Sequence, residues 1–260
     1  MPEAFDVNEY VLTGRGDPQR ALAGLYFWTW DTEEVLDLIR WMRKWNSDPK
    51  HSKVKFYGFD TRKMPRAAQV VLAYLTRVAK GESANWATQL APLTNELDSQ
   101  VGAMAPEELQ ALTKAAGALV QRFDAARAAW TSRSSAEAWA IARQHAQILV
   151  QSLEVLRLGP LPAAGEARDR AMAENITWIA EHEGPQSKLV VWAHDFHVSY
   201  GSQSWHTMGQ FLRARWGKAY LNVGFAFDHG DFRSGDSLDN DRVHPFTVGP
   251  LPPDRSHATL

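Results

Sequence analysis

The sequence predicts an α/β fold: a mostly parallel sheet flanked by helices, with an inserted helical hairpin arm. Three observations carry this. Short apolar runs at 53–60, 188–194 and 220–227 are bounded by polar residues, the pattern of strands covered on both faces. Helical periodicity fills the intervals between them, as in βα units. Between about 83 and 158 the helical pattern is unbroken by any strand signal.

With 260 residues, 45% apolar and 22% charged, the composition is that of a globular chain able to bury a core. The pattern divides into a first part of the α/β core at 1–82, the helical arm at 83–160, and a second part of the core at 161–260. Together these make one domain, read as a fragment of a longer chain. The net charge of −2 gives no overall field for nucleic acid. The absence of cysteine excludes disulfides, thiolate nucleophiles and Cys-ligated zinc, and fits a cytoplasmic setting. No signal peptide and no apolar run of about 20 residues is visible, so no membrane partner is expected.

The opening stretch to about Arg20 is mixed and reads as ending in the turn-like Gly14–Pro18. A helix follows, with Asp31 as N-cap, Glu34 completing a capping box, and Val35, Leu38, Ile39 and Met42 on one buried face. Trp41 and Trp45 read as core fillers. After the first strand, which ends at Asp60, a helix from about Pro65 to Ala79 buries Val71, Tyr74, Leu75 and Val78. Pro106, with Glu107 and Glu108 behind it, opens a long helix. Its Leu109, Leu112, Ala116, Leu119, Phe123, Ala126 and Trp130 form an a/d seam of about four heptads. The partner of that seam reads as the next helix, from Ser134 to Gly159-Pro160. After a loop from Gly159 to Gly165, a helix to about His182 buries Met172, Ile176 and Ile179, and another lies near 205–216. The tail from Ser234, rich in Gly, Pro and Asp, reads as loop.

The sharpest chemical feature is His194-Asp195-Phe196-His197 at the end of an apolar strand. In parallel sheets ligand sites gather at the carboxyl ends of strands, and imidazole titrates near neutrality. The alternative is that one histidine bonds the backbone of the turn while the other is exposed. A metal reading is weaker. The spacing is i, i+3 at a strand end rather than i, i+4 on a helix, and Asp195, Asp228, His229 and Asp231 are only loose candidates for further ligands. No metal or cofactor is expected. Asp60 ends the first strand and either orients an imidazole, binds a substrate hydroxyl, or caps the next segment. Arg168-Asp169 reads as a surface ion pair, or as an arginine reaching the site to steady an oxyanion. Trp28 and Trp30, on a loop, read as a pocket wall or as core. There is no Gly-x-Ser-x-Gly elbow and no P-loop, so serine hydrolase and nucleotide chemistry have no support.

Five ordered blocks resemble the erythromycin esterase family. They are 28–35 (Trp-Thr-Trp-Asp-Thr-Glu-Glu-Val), 56–60 (Phe-Tyr-Gly-Phe-Asp), 168–176 (Arg-Asp-Arg-Ala-Met-Ala-Glu-Asn-Ile), 190–198 (Val-Val-Trp-Ala-His-Asp-Phe-His-Val), and 224–227 with 230–232. The resemblance implies an α/β core with an inserted helical arm and an active-site cleft between them. It also implies hydrolysis of a macrolide lactone or related ester without a covalent serine intermediate, an activity linked to antibiotic resistance. In that family a histidine activates water, supported by glutamates and a second histidine group, which His194 and His197 match. The resemblance makes His194, His197 and Asp60 the catalytic candidates, and Trp28, Trp30, Arg168 and Asp195 the candidates for contact with a small-molecule ester or macrolide. The oligomeric state is left open.

Three departures accompany the resemblance. Family members carry an earlier strand with a Gly-Glu-x-x-His-Gly motif and a second strand ending in glutamate, and Met1-Pro2-Glu3-Ala4 aligns just after that glutamate. Asp195 and Phe196 stand where Asn and Gly are usual. The tail from Val248 resembles the start of a further family segment and then stops. The expectation from sequence is therefore a hydrolase-type chain without its main base.

Overall fold

The computed structural model describes residues 2–61, 64–94, 104–226, 228–236 and 242–250. Met1, Phe227 and 251–260, which enter the resemblance blocks and the expected tail segment, lie outside the described residues. The chain forms two compact units, one of 1–3 with 57–222 and the other of 4–56 with 223–260.

In the unit of 4–56 and 223–260, the opening stretch is helical rather than mixed: α1 spans Ala4–Thr13 and α2 spans Pro18–Ala23. Asp17 caps α2, accepting from Gln19 N and Arg20 N, with Pro18 at the first helical position. Helix α3 spans Glu33–Ser47 and buries Val35, Leu36, Ile39 and Met42 against Val7, Val11 and Leu22. Its N-cap is Thr32, whose hydroxyl accepts from Val35 N at 3.3 Å, and not Asp31. Thr32→Ala is therefore expected to lower stability by about 1 kcal/mol. Asp31→Ala is expected to stay within about 0.5 kcal/mol of the parent in the same urea titration, and equal losses would return the cap to Asp31.

Trp41 and Trp45 are not core. They are 51% and 36% exposed. Trp45 stacks on His51 with 3.7 Å between ring centroids and donates to the Ser52 carbonyl. The tail contains a hairpin where loop was expected: β1 (Gly230–Asp236) pairs antiparallel with β2 (Arg242–Val248), placing Phe232 opposite Phe246. Those rings stack at 5.5 Å, a cross-strand pair that a glycine-rich composition conceals.

The unit of 1–3 and 57–222 is built on helices. Helix α4 spans Pro65–Val78, α5 Lys80–Leu90, α6 Pro106–Ala125, α7 Arg127–Ser132 and α8 Ala136–Leu158. Leu112, Ala116, Leu119 and Phe123 of α6 share one core with Trp139, Ala142, Ala146, Leu149 and Leu153 of α8. The seam read from sequence crosses a break after Ala125, so Trp130 belongs to α7, where it meets Phe123 edge-on at 4.9 Å. Helix α8 is capped by Ser135, not Ser134.

Helix α9 spans Ala163–Glu183. The four-residue α10 (Asp195–Val198) and α11 (Met208–Trp216) pack on it through Met172, Ile176, Val198, Met208 and Leu212. Helix α11 starts at Met208 under a capping box of Thr207 and Gln210, later than the stretch near 205 expected from sequence.

The mostly parallel sheet is not present among the described residues, where the one sheet is the β1–β2 pair. A strand needs a neighbour about 4.8 Å away to exchange backbone hydrogen bonds. Residues 57–60 and 188–194 instead lean singly on the α9 cluster through Phe59, Val191 and Ala193. Period-two alternation survives: Val191 and Ala193 face inward, whereas Val190 is 97% exposed and Trp192 55%. The run thus has the composition of a strand covered on both faces while one face is covered. No helix among the described residues is long and apolar enough to cross a membrane.

Candidate active site

Three of the candidate residues named from sequence, Asp60, Arg168 and His197, come together at the N-terminal half of α9. Asp60 closes the first apolar run, and side chains from two helices hold the backbone on either side of it. The Phe59 carbonyl accepts from Asn175 Nδ2 at 2.8 Å, and the Thr61 carbonyl accepts from Ser152 Oγ. Asn175 is fully buried, and its Oδ1 accepts from Gln144 Nε2 of α8 at 2.7 Å.

So placed, Asp60 receives Arg168 bidentately, Nε to Oδ1 at 2.9 Å and Nη2 to Oδ2 at 2.6 Å, and Thr61 N donates to Oδ1 at 2.7 Å. Burial pushes the Asp60 carboxyl upward. The hydrogen bonds and charge of Arg168, with the Thr61 N–H, outweigh it and hold the group below its usual 3.8. Burial likewise opposes the charge on Arg168, and Asp60, joined by Asp169, more than restores it, raising the guanidinium above its ordinary value. Arg168 therefore pairs with Asp60 across 108 positions of sequence, and not with its neighbour Asp169. Adjacent helical residues point about 100° apart, so the surface ion pair expected between them does not form.

Asp169 turns inward and is wholly buried. Its Oδ1 lies 2.7 Å from His197 Nδ1 and accepts from Met208 N at 3.0 Å, while Oδ2 accepts from Trp205 Nε1 at 2.6 Å. His197 Nε2 in turn faces Arg168 Nη1 at 3.4 Å. Phe196 closes over the group, edge-on to both His197 and Trp205 at 5.5 and 5.0 Å. The seat of α11 depends on Gly209, where a Cβ would come within 2.2 Å of the Val198 carbonyl oxygen. That close approach brings Met208 N to Asp169.

His194 behaves differently from His197. It is exposed and serves as the N-cap of α10, its Nδ1 accepting from Phe196 N at 3.1 Å. Since a backbone N–H only donates, Nδ1 of His194 carries the lone pair and the hydrogen sits on Nε2. Half-buried Asp195 opens α10. Trp28 and Trp30 belong to the other unit. Trp30 packs on the Val7–Ile39 core, and the Trp28 indole lies against Gly235, where a Cβ would come within 2.6 Å of it.

A groove of about 640 Å³ runs between α8 and α9, lined by Gln151, Glu154, Glu166, Arg170, Glu174 and Trp205 among others. Its walls mix these charged and amide groups with the apolar Val150, Leu158, Pro162 and Ala167. Among the described residues no group of three or more His, Asp and Glu side chains is arranged to hold a metal ion.

Trp205 is a participant that the sequence reading did not name, and Asp169 entered it only as half of a surface ion pair with Arg168. Asp169 had a signal: it stands at i with Met172, Ala173 and Ile176 at i+3, i+4 and i+7, a charge inside an apolar stripe. Trp205, on an irregular segment, had none.

The sequence matches a family model described as erythromycin esterase over residues 1–260. The chain belongs to the erythromycin esterase family. A curated relative, a putative hydrolase named YbfO from Bacillus subtilis, is 23% identical over 271 residues, covering 94% of this chain and 60% of that protein. A Bacillus cereus protein of known crystal structure superposes with a TM-score of 0.82 at 25% identity, over 97% of this chain and 62% of that one. A mutant of erythromycin esterase EreC in its open conformation gives 0.71 at 16% identity, over 95% and 66%. A succinoglycan biosynthesis protein shares the fold at 0.79 and 20% identity, over 96% of this chain and 61% of its own. The chain thus spans about 60% of the length of the curated relative.

Proposed function

We propose that the protein acts in hydrolysis of a carboxylic ester or lactone, with macrolides the first class to test and antibiotic inactivation the consequence. The observation that carries this reading is the fixed guanidinium of Arg168. Asp60 takes Nε–H and one Nη2–H, and His197 faces Nη1. Arg168 has five N–H groups, so the end-on edge between Nη1 and Nη2 keeps donors for a ligand oxygen. Donors held rigidly toward an ester carbonyl stabilise the negative charge that develops as water adds. The Nε2–H of His194 is a second donor of the same kind, for the carbonyl or the leaving oxygen.

Neither imidazole has a ring lone pair to spare here. That of His194 faces Phe196 N–H and that of His197 faces Arg168. The base that takes the proton from water is accordingly a separate group. This same observation favours a second reading, a macrolide- or glycan-binding protein that does not turn its ligand over.

The two separate by mass spectrometry and calorimetry on a panel of macrolides and simple esters. Addition of one water to a panel member, lost in Arg168→Lys, supports hydrolysis. Tight binding with no mass change moves the conclusion to the binder, and neither binding nor cleavage removes both.

A further inference from the structure

We infer that Asp169 is a positioning residue: by holding His197 as its Nδ1–H tautomer it fixes the direction of both hydrogen bonds of that ring, from Arg168 and to Asp169. The inference rests on the reading of Arg168 as the carbonyl-facing donor and deepens it.

The argument is one of donors and acceptors. Around Asp169 stand a backbone N–H (Met208), an indole N–H (Trp205) and one ring nitrogen of His197. The first two only donate, so the carboxylate accepts on both oxygens. At 2.7 Å from Oδ1, a lone pair on His197 Nδ1 would oppose another lone pair. A hydrogen on Nδ1 makes the same contact a charge-assisted bond. On the far side of the ring, Arg168 Nη1 also only donates, and it lies 3.4 Å from Nε2. A hydrogen on Nε2 would set two donors against each other. The neutral ring with hydrogen on Nδ1 and lone pair on Nε2 is the one form that suits both neighbours.

The chain therefore runs in one direction: Arg168 donates to His197, and His197 donates to Asp169. Arg168 is held from two sides, by Asp60 through Nε and Nη2 and by His197 through Nη1. Complete burial of Asp169 keeps water from replacing either partner. With asparagine at 169, the amide oxygen keeps the Oδ1 place shared by Met208 N and His197 Nδ1, and the NH2 group meets the Trp205 indole N–H. Leucine at 169 removes the acceptor altogether and leaves Arg168 as the one partner that orients the ring.

Nitrogen-15 NMR of the histidine rings reads this directly, with His197 assigned by His197→Gln. The expected wild-type pattern is the Nδ1–H tautomer at His197 beside the Nε2–H tautomer at His194. Arg168→Met is expected to leave His197 as Nδ1–H, held by Asp169, and Arg168→Met combined with Asp169→Leu is expected to release it to the Nε2–H form that free imidazole prefers. Trp205→Phe, which removes only the Oδ2 partner, is expected to leave the tautomer as it was. With a hydrolysed substrate in hand, Asp169→Leu should lower kcat about 10²-fold with KM nearly constant.

An Nε2–H ring at His197 in the wild-type protein overturns the inference, as does an Nε2–H ring in Arg168→Met. If the leucine variant does not fold, the wild-type spectrum and Arg168→Met still decide. A protein that hydrolyses nothing on the panel yet shows this tautomer pattern would sink the catalytic reading and leave the role of Asp169 standing.

Discussion

Arg168→Lys is expected to lower kcat for ester hydrolysis about 10²–10³-fold, the loss typical when a preorganised oxyanion donor is removed. Lysine keeps the charge but presents one compact ammonium. It cannot make the two parallel bonds to Asp60 and also face His197 Nε2, as the guanidinium does. The effect should fall on kcat more than on KM, because the interaction strengthens as charge builds on the carbonyl oxygen. Asp60→Asn should act in the same direction and more weakly, since the arginine stays but its fork loses a charged partner. The pH dependence follows from the depressed carboxyl of Asp60. A folded-state pKa below the unfolded value contributes stability that is present above the unfolded value. That contribution disappears as pH falls through the folded value. For Asp60 this window lies at and below 3.8, so the clamp is intact through the neutral range. Any acid limb seen above about pH 5 in a rate profile belongs to another group. Equal kcat for Arg168→Lys and the parent, with matched melting temperatures, would falsify the oxyanion role.

The parts of the structure that were legible in the sequence are those whose stabilising contacts are local. Helix α4 and the paired helices α6 and α8 declare themselves by residues three and four apart that share a core. The hairpin of β1 and β2 did not, because its stabilising pair, Phe232 with Phe246, lies across a ladder that composition does not encode. The segments 57–60 and 188–194 show the converse failure. Their composition announces buried strands, but a strand is defined by its neighbour, and the residues themselves do not say who that is. In the site, His194 and His197 stood out by type and spacing, yet their roles are set by partners far off in sequence. Asp169, itself held by Met208 N, and Arg168 fix one ring, and the local turn at Phe196 fixes the other. Asp60 was legible as a strand-end carboxylate, whereas the arginine that answers it, 108 residues later, was visible only as half of an apparent surface pair.

Asn175→Ala is expected to lower the unfolding free energy by about 3–5 kcal/mol, combining two orphaned polar groups with a small cavity. Asn175 is fully buried and uses both ends of its amide, Oδ1 toward Gln144 Nε2 and Nδ2 toward the Phe59 carbonyl. Truncation leaves Gln144, itself 3% exposed, with a buried amide that has lost its acceptor, and leaves the carbonyl next to Asp60 without its donor. A double-variant cycle separates these two losses. Asn175→Leu with Gln144→Leu replaces both amide partners by apolar groups of similar size, which is close to neutral for that pair. What the double variant fails to recover in a urea titration is the cost at the Phe59 carbonyl. That residue of cost ties stability to the site, because the same carbonyl anchors the backbone that presents Asp60 to Arg168. A double variant as stable as the parent, with Arg168 still in its place by crystallography, would mean that the hold on Asp60 comes from the Ser152 hydroxyl on Thr61 alone. Full recovery of stability together with a displaced Arg168 would instead show that Asn175 orders the site without stabilising the fold.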